Sequence, residues 1–150
     1  MLLEPMTKKR LSRFLSLKAQ TTNHLERIAR MKSNEQFPAM RESDGSSHQP
    51  GASDRMGNAV IKRITYEDEI TAELEANLAE MDAIRKAIKS LDDLMEQEVL
   101  WNRYIEPDGI KHMPWRDVAL RMYHDDDEST IRAVTRLHGK ALESIRKVEI

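Results

Sequence analysis

The stretch STIRAVTRLHGKALESIRKV, residues 129–148, decides the fold. Ile131, Val134, Leu137, Ala141 and Ile145 recur at helical spacing and make one apolar stripe. Arg132, Thr135, Arg136 and Lys140 fall on the opposite face. Ser129 or Thr130 is placed to cap the helix, and the acidic residues just before them suit the positive end of its dipole. Such a helix is either a plain amphipathic element or one that reads DNA. The residues upstream bear on the choice.

Working backwards, HDDDE at residues 124–128 is a poor helix interior, so a shorter helix, PWRDVALRM, ends near Tyr123. Pro114 suits its first turn. EPDG, residues 106–109, has Pro in the second place and Gly in the fourth, as a β-turn requires. Before it, LDDLMEQEVLWNRYI reads as another helix, with Ser90 as its cap and Asp93 at the capping-box position. Two short helices and a longer basic one form the arrangement of a helix-turn-helix unit. Leu94, Val99, Leu100 and Tyr104 face Trp115, Val118, Ala119 and Met122 and the stripe of the third helix in a trihelical core. Ala119 is small where two helices must approach closely.

With that stripe buried, Arg132, Thr135 and Arg136 are the expected base-reading residues. Arg can make a bidentate contact with guanine, and Thr can touch a thymine methyl group. Ser129, Thr130, Lys140, Arg146, Lys147 and Arg116 are the expected phosphate contacts.

The segment ITYEDEITAELEANLAEMDAIRKAIKSLDDLM, residues 64–95, carries a heptad pattern. Ile70, Asn77, Ile84 and Leu91 fall at one seam position, and Leu74, Met81, Ile88 and Met95 at the other. Four heptads argue a coiled coil, and a single seam Asn can fix its register. Residues 59–104 hold six basic and eleven acidic residues, so this face suits a partner helix better than DNA. The first helix, about residues 11–31, is basic (Lys8, Lys9, Arg10, Arg13, Lys18, Arg27, Arg30) and is the expected partner, with dimerisation through the resulting hairpin. Leu11, Phe14, Leu15, Leu25, Ile28 and Met31 supply its apolar spacing. Residues 32–58 are rich in Ser, Gly, Pro, Asn and Asp and read as a flexible connector. The sum is an all-α chain: a long helical hairpin or coiled coil followed by a C-terminal trihelical helix-turn-helix domain. Residues 1–31 are the N-terminal helix, 32–58 the flexible linker, 59–90 the coiled-coil helix and 91–150 the helix-turn-helix domain.

Composition narrows the function classes. At 150 residues the chain is one domain, or a small domain with a helical extension. Hydrophobic residues are 39% and charged residues 33%, which suits helices rather than a β core. With no Cys there are no disulfides or thiolate metal sites, and an intracellular setting is the simplest reading. No apolar run approaches the roughly 18 residues of a membrane span, so no membrane partner is expected. A net charge of −2 is not that of a bulk nucleic-acid binder, so any DNA contact must use local positive charge. There is no Gly-rich phosphate loop, nucleophile elbow or metal-ligand pair on a helix, and the chain does not read as an enzyme. No cofactor is expected. His124 with Asp125, Asp126 and Asp127 suggests a metal site only weakly, because the EF-hand spacing is missing. His138 sits between the buried and exposed faces and reads as a partly buried structural histidine.

Taken together, VIKRITYEDEITAELEANLAEMDAIRKAI (60–88), EVLWNRYI (98–105), PWRDVALRM (114–122) and TIRAVTRLHGKAL (130–142) resemble the ArpU-type phage transcriptional regulators. The most specific segment is RLHGKAL, residues 136–142. The likeness covers roughly residues 58–150. It implies a sigma factor region-four-like helix-turn-helix and a phage or prophage late-gene regulator, with double-stranded DNA as partner and host RNA polymerase as a second one. It also implies work in the cytoplasm of a bacterial host. One departure stands out: YHDDDES, residues 123–129, is longer and more acidic than the tight Gly-containing turn that the family implies. Two other readings stay open. A phage small terminase subunit would also join a helix-turn-helix to oligomerising helices, and a helical adaptor or anti-sigma-like protein would bind protein and not DNA.

Overall fold

The computed structural model describes residues 4–36 and 52–148. Among them there is no strand. Six helices follow in order: α1 (Lys8–Ser12), α2 (Phe14–Gln36), α3 (Ala52–Lys89), α4 (Leu94–Tyr104), α5 (Trp115–Tyr123) and α6 (Glu128–Arg146). The all-α expectation holds. The linker expected over 32–58 is helical at both ends, because α2 runs on to Gln36 and α3 begins at Ala52. Its middle lies outside the described residues. No described helix is long and apolar enough to cross a membrane.

The chain divides into two compact units, residues 1–19 with 77–150, and residues 20–76. The first unit holds the main core. Val99, Leu100 and Tyr104 of α4, Val118 and Ala119 of α5, and Val134, Ala141 and Ile145 of α6 are buried in one cluster. The three helices pack pairwise against one another. The same cluster takes in Met6, Leu11, Phe14 and Leu15 from the N-terminus and Met81, Ile84, Ala87 and Ile88 from the end of α3. The division at residue 91 is therefore corrected: the start of the chain and the end of α3 complete the core of the C-terminal helices. Thr7 starts α1 by accepting from the Arg10 backbone N–H at 3.3 Å. Arg10 then reaches Glu80 at 2.7 Å and fastens α1 to α3.

Local chemistry explains each break. Asp93, rather than Ser90, caps α4: its Oδ1 accepts from the backbone N–H groups of Met95 (2.8 Å) and Glu96 (3.3 Å). Ser90 instead donates to the Ala87 carbonyl at the end of α3. The restart resets the helical phase and corrects two expectations. Met95 leaves the seam for the surface, and Leu94 is 71% exposed instead of joining the core. Of the other expected seam residues Ile70, Asn77, Met81, Ile84, Ile88 and Leu91 are buried and Leu74 is half-buried, with Met81, Ile84, Ile88 and Leu91 in the core cluster of the C-terminal helices. Pro114 precedes α5 with φ −56°, and α5 ends at His124, which takes the left-handed conformation at φ 55°.

In the second unit α2 and α3 run antiparallel. His24 pairs with Tyr66 and Glu73, and further along α2 Glu35 pairs with Arg63 at 2.7 Å. Arg27 lies 4.6 Å over the Tyr66 ring. Leu25 does not join this seam and stays exposed.

Candidate nucleic-acid interface

Helix α6 buries Val134, His138, Ala141 and Ile145, four positions spaced to make one face. Its start is built by the acidic turn. Asp125 accepts from the Asp127 backbone N–H at 3.0 Å and from the Thr130 hydroxyl at 2.9 Å. Those two donors hold the Asp125 carboxyl below its usual pKa. Asp127 takes the cap position without a side-chain cap bond, which corrects the expected Ser129 or Thr130 cap. Thr130 spends its hydroxyl on Asp125 and is half-buried, so it is not open to a phosphate. Ser129 is exposed in the first turn.

The opposite face carries Arg132, Arg136 and Lys140, all exposed. Arg132 leans on its own helix, with Nε 3.4 Å from the Glu128 carbonyl and Nη2 3.9 Å from the Glu128 carboxylate. Arg136 and Lys140 make no ion pair among the described residues. Thr135 sits half-buried on the flank, and its hydroxyl donates to the Arg132 carbonyl at 2.9 Å. Glu143, exposed one turn beyond Lys140 and Gly139, interrupts the basic face. Its spacing of seven residues from Arg136 was readable in the sequence. Arg146 and Lys147 are exposed at the far end. Lys147 lines a hollow with Asp92, Asp93 and Glu96, which opposes its expected use on phosphate.

Arg116 of α5 is exposed but already engaged. It forms an ion pair with Asp126 at 2.7 Å, so its charge is answered within the chain. Carboxylate oxygens of Asp125, Asp126 and Asp127 come within 4.8 Å of one another. Thr130, Arg116 and the Asp127 N–H already account for the aim of Asp125 and Asp126.

His138 anchors the face from beneath. Its ring is buried, its Nε2 lies 2.7 Å from the Tyr104 hydroxyl, and Trp115 stands edge-on with centroids 4.7 Å apart. Burial first, then the nearby charges of Lys8 and Arg103, lower its pKa to about 4. The neutral imidazole and the Tyr104 hydroxyl share this hydrogen bond, and burial raises the pKa of Tyr104. Arg103 stacks 4.3 Å over Trp115 and donates to the Met113 carbonyl, holding the loop before α5. A Ser144–Glu96 hydrogen bond of 3.1 Å ties α6 to α4. These ties fix the orientation of α6 and leave its basic side open.

Compared with protein-family models, with curated proteins and with solved structures, the chain gives no match in any of the three.

Proposed function

We propose that this chain is a phage or prophage transcriptional regulator that reads double-stranded DNA in the major groove with α6. The observation that carries the reading is the exposed row Arg132, Arg136 and Lys140 on a helix whose other face is locked into a three-helix core. Arg132 and Arg136 stand one turn apart near the N-terminal half, where recognition helices present base-reading residues. Lys140 and Ser129 serve the phosphates. Activation of late genes, and host RNA polymerase as the second partner, follow from the ArpU-type resemblance. The acidic turn before α6 works against loose binding to any DNA, so affinity depends on the right sequence.

The test is selection of bound sequences from a random DNA pool at about 150 mM salt, where surface charge is screened beyond about 8 Å. The wild-type chain enriches one motif. Arg132→Ala/Arg136→Ala loses it, at about 1–3 kcal/mol for each bidentate contact removed, while its thermal unfolding stays where it was. Enrichment of no motif by the wild-type chain refutes the reading.

A further inference from the structure

A pair of helices has one seam in which to bury apolar side chains, and the unit of residues 20–76 is such a pair. Among its described residues only Thr21 and Ile70 are buried. Leu25 is 53% exposed, Met56 50% and Ile64 45%. Leu25 follows the seam residue His24, and Ile64 follows the seam residue Arg63. In an antiparallel pair, residues one step past the seam flank the same edge, so Leu25 and Ile64 share a side. Met56 lies two turns before Ile64 on that side of α3. The hairpin thus presents an apolar edge that it cannot cover itself.

Charge says what covers it. Residues 20–36 hold three basic and two acidic residues, and residues 52–76 hold three basic and six acidic. Lys32, seven residues after Leu25 on α2, and Asp68 and Glu75, four and eleven residues after Ile64 on α3, lie on the side of this edge and are exposed. Among the described residues none of these three forms an ion pair within the chain. A hairpin with one basic and one acidic helix is complementary to itself. A two-fold axis sets α2 of one copy against α3 of the other, and the same contact occurs twice.

We infer that the 20–76 hairpin is a self-association surface, on which a second copy of this chain docks to close a four-helix bundle over Leu25, Met56 and Ile64. This stands apart from the DNA reading, since a chain that paired without reading DNA would satisfy it.

Sedimentation equilibrium of the full chain tests it. Wild type has twice the chain mass. Lys32→Glu and Asp68→Lys/Glu75→Lys each repel their own copies, raising the dissociation constant roughly tenfold or more, and mixing the two variants restores the doubled mass. Ile64→Ser, at a position already exposed in one chain, weakens pairing while helicity by circular dichroism is kept. A wild-type mass of one chain, or of a ring of many, overturns the inference. So does a doubled mass indifferent to these substitutions, or a mixture that stays single.

Discussion

Acid should weaken the unit that carries α6, and His138 sets how much. Its folded pKa of about 4 lies below the 6.5 of an unhindered imidazole. Between those values the unfolded chain binds a proton that the folded chain refuses. Stability is therefore intact above about pH 6.5 and is lost as the pH falls toward 4. At about 1.4 kcal/mol per pH unit, the loss reaches about 2 kcal/mol by pH 5 and about 3 kcal/mol by pH 4. With a urea dependence of about 2 kcal/mol per molar, the midpoint falls by about 1 M between pH 7 and pH 5. Tryptophan fluorescence is the assay, because Trp101 and Trp115 are the two tryptophans of the chain and Trp115 touches His138. His138→Gln keeps a hydrogen-bond partner for the Tyr104 hydroxyl and cannot take up the proton, so most of the pH slope disappears. A residual slope of the same sign comes from His112, whose pKa burial also lowers. An unchanged wild-type midpoint at pH 5, or an equal fall in His138→Gln, would refute the assignment.

Two other substitutions probe backbone positions. His124→Gly relieves a side chain held at φ 55° and should raise stability by up to about 1 kcal/mol; a lower thermal midpoint would show that the His124 ring contributes more than its strain costs. A Cβ added at Gly139 meets nothing within 4 Å. Gly139→Ala should therefore stabilise α6 by about 1 kcal/mol through helix propensity, read by urea unfolding, and no gain would mean that this face is not open in the free protein.

Much of the fold was legible because helical spacing reports burial directly. Val134, Ala141 and Ile145 lie in the core as their spacing requires, and so do Val118 and Ala119. The expected seam positions of α3 are buried or half-buried from Ile70 through Leu91 for the same reason, although from Met81 on they join the C-terminal core. They failed at Met95 because one backbone event, the Asp93 cap, reset the phase, and a capping choice between Ser90 and Asp93 depends on where the chain must turn. Placement of the first helix was legible only in part. Leu11, Phe14 and Leu15 are apolar for either role, and sequence pattern alone does not say that they join Tyr104 and the end of α3 in one core. Candidate site residues divide along the same line. Arg132, Arg136 and Lys140 are exposed as the face predicts. Arg116 and Thr130 are claimed by Asp126 and Asp125, a pairing across ten and five residues that only the folded turn brings about.

The acidic turn gives the interface a measurable signature. A chain of net charge −2 must bind DNA with the few cations that its own acids leave free. On α6 Arg136, Lys140 and Arg146 are exposed without an ion pair among the described residues, whereas Arg132 lies 3.9 Å from the Glu128 carboxylate, Arg116 is paired with Asp126 and Lys147 lies beside Asp92 and Asp93. With Arg136 on a base, Lys140 and Arg146 are left for phosphates; two phosphates neutralised per copy give a slope of log affinity against log salt of about −2, and two paired copies about −4. Lys140→Ala should reduce the slope by about 1 per copy bound. Arg116→Ala should leave it nearly unchanged, since the substitution frees an acid as it removes a base and the local charge was already balanced. Titration of a selected DNA duplex by fluorescence anisotropy across a range of salt concentrations measures both. If Arg116→Ala lowers the slope as much as Lys140→Ala does, the Arg116–Asp126 pair opens on DNA. The turn would then be a part that binding rearranges, and not a fixed acidic rim.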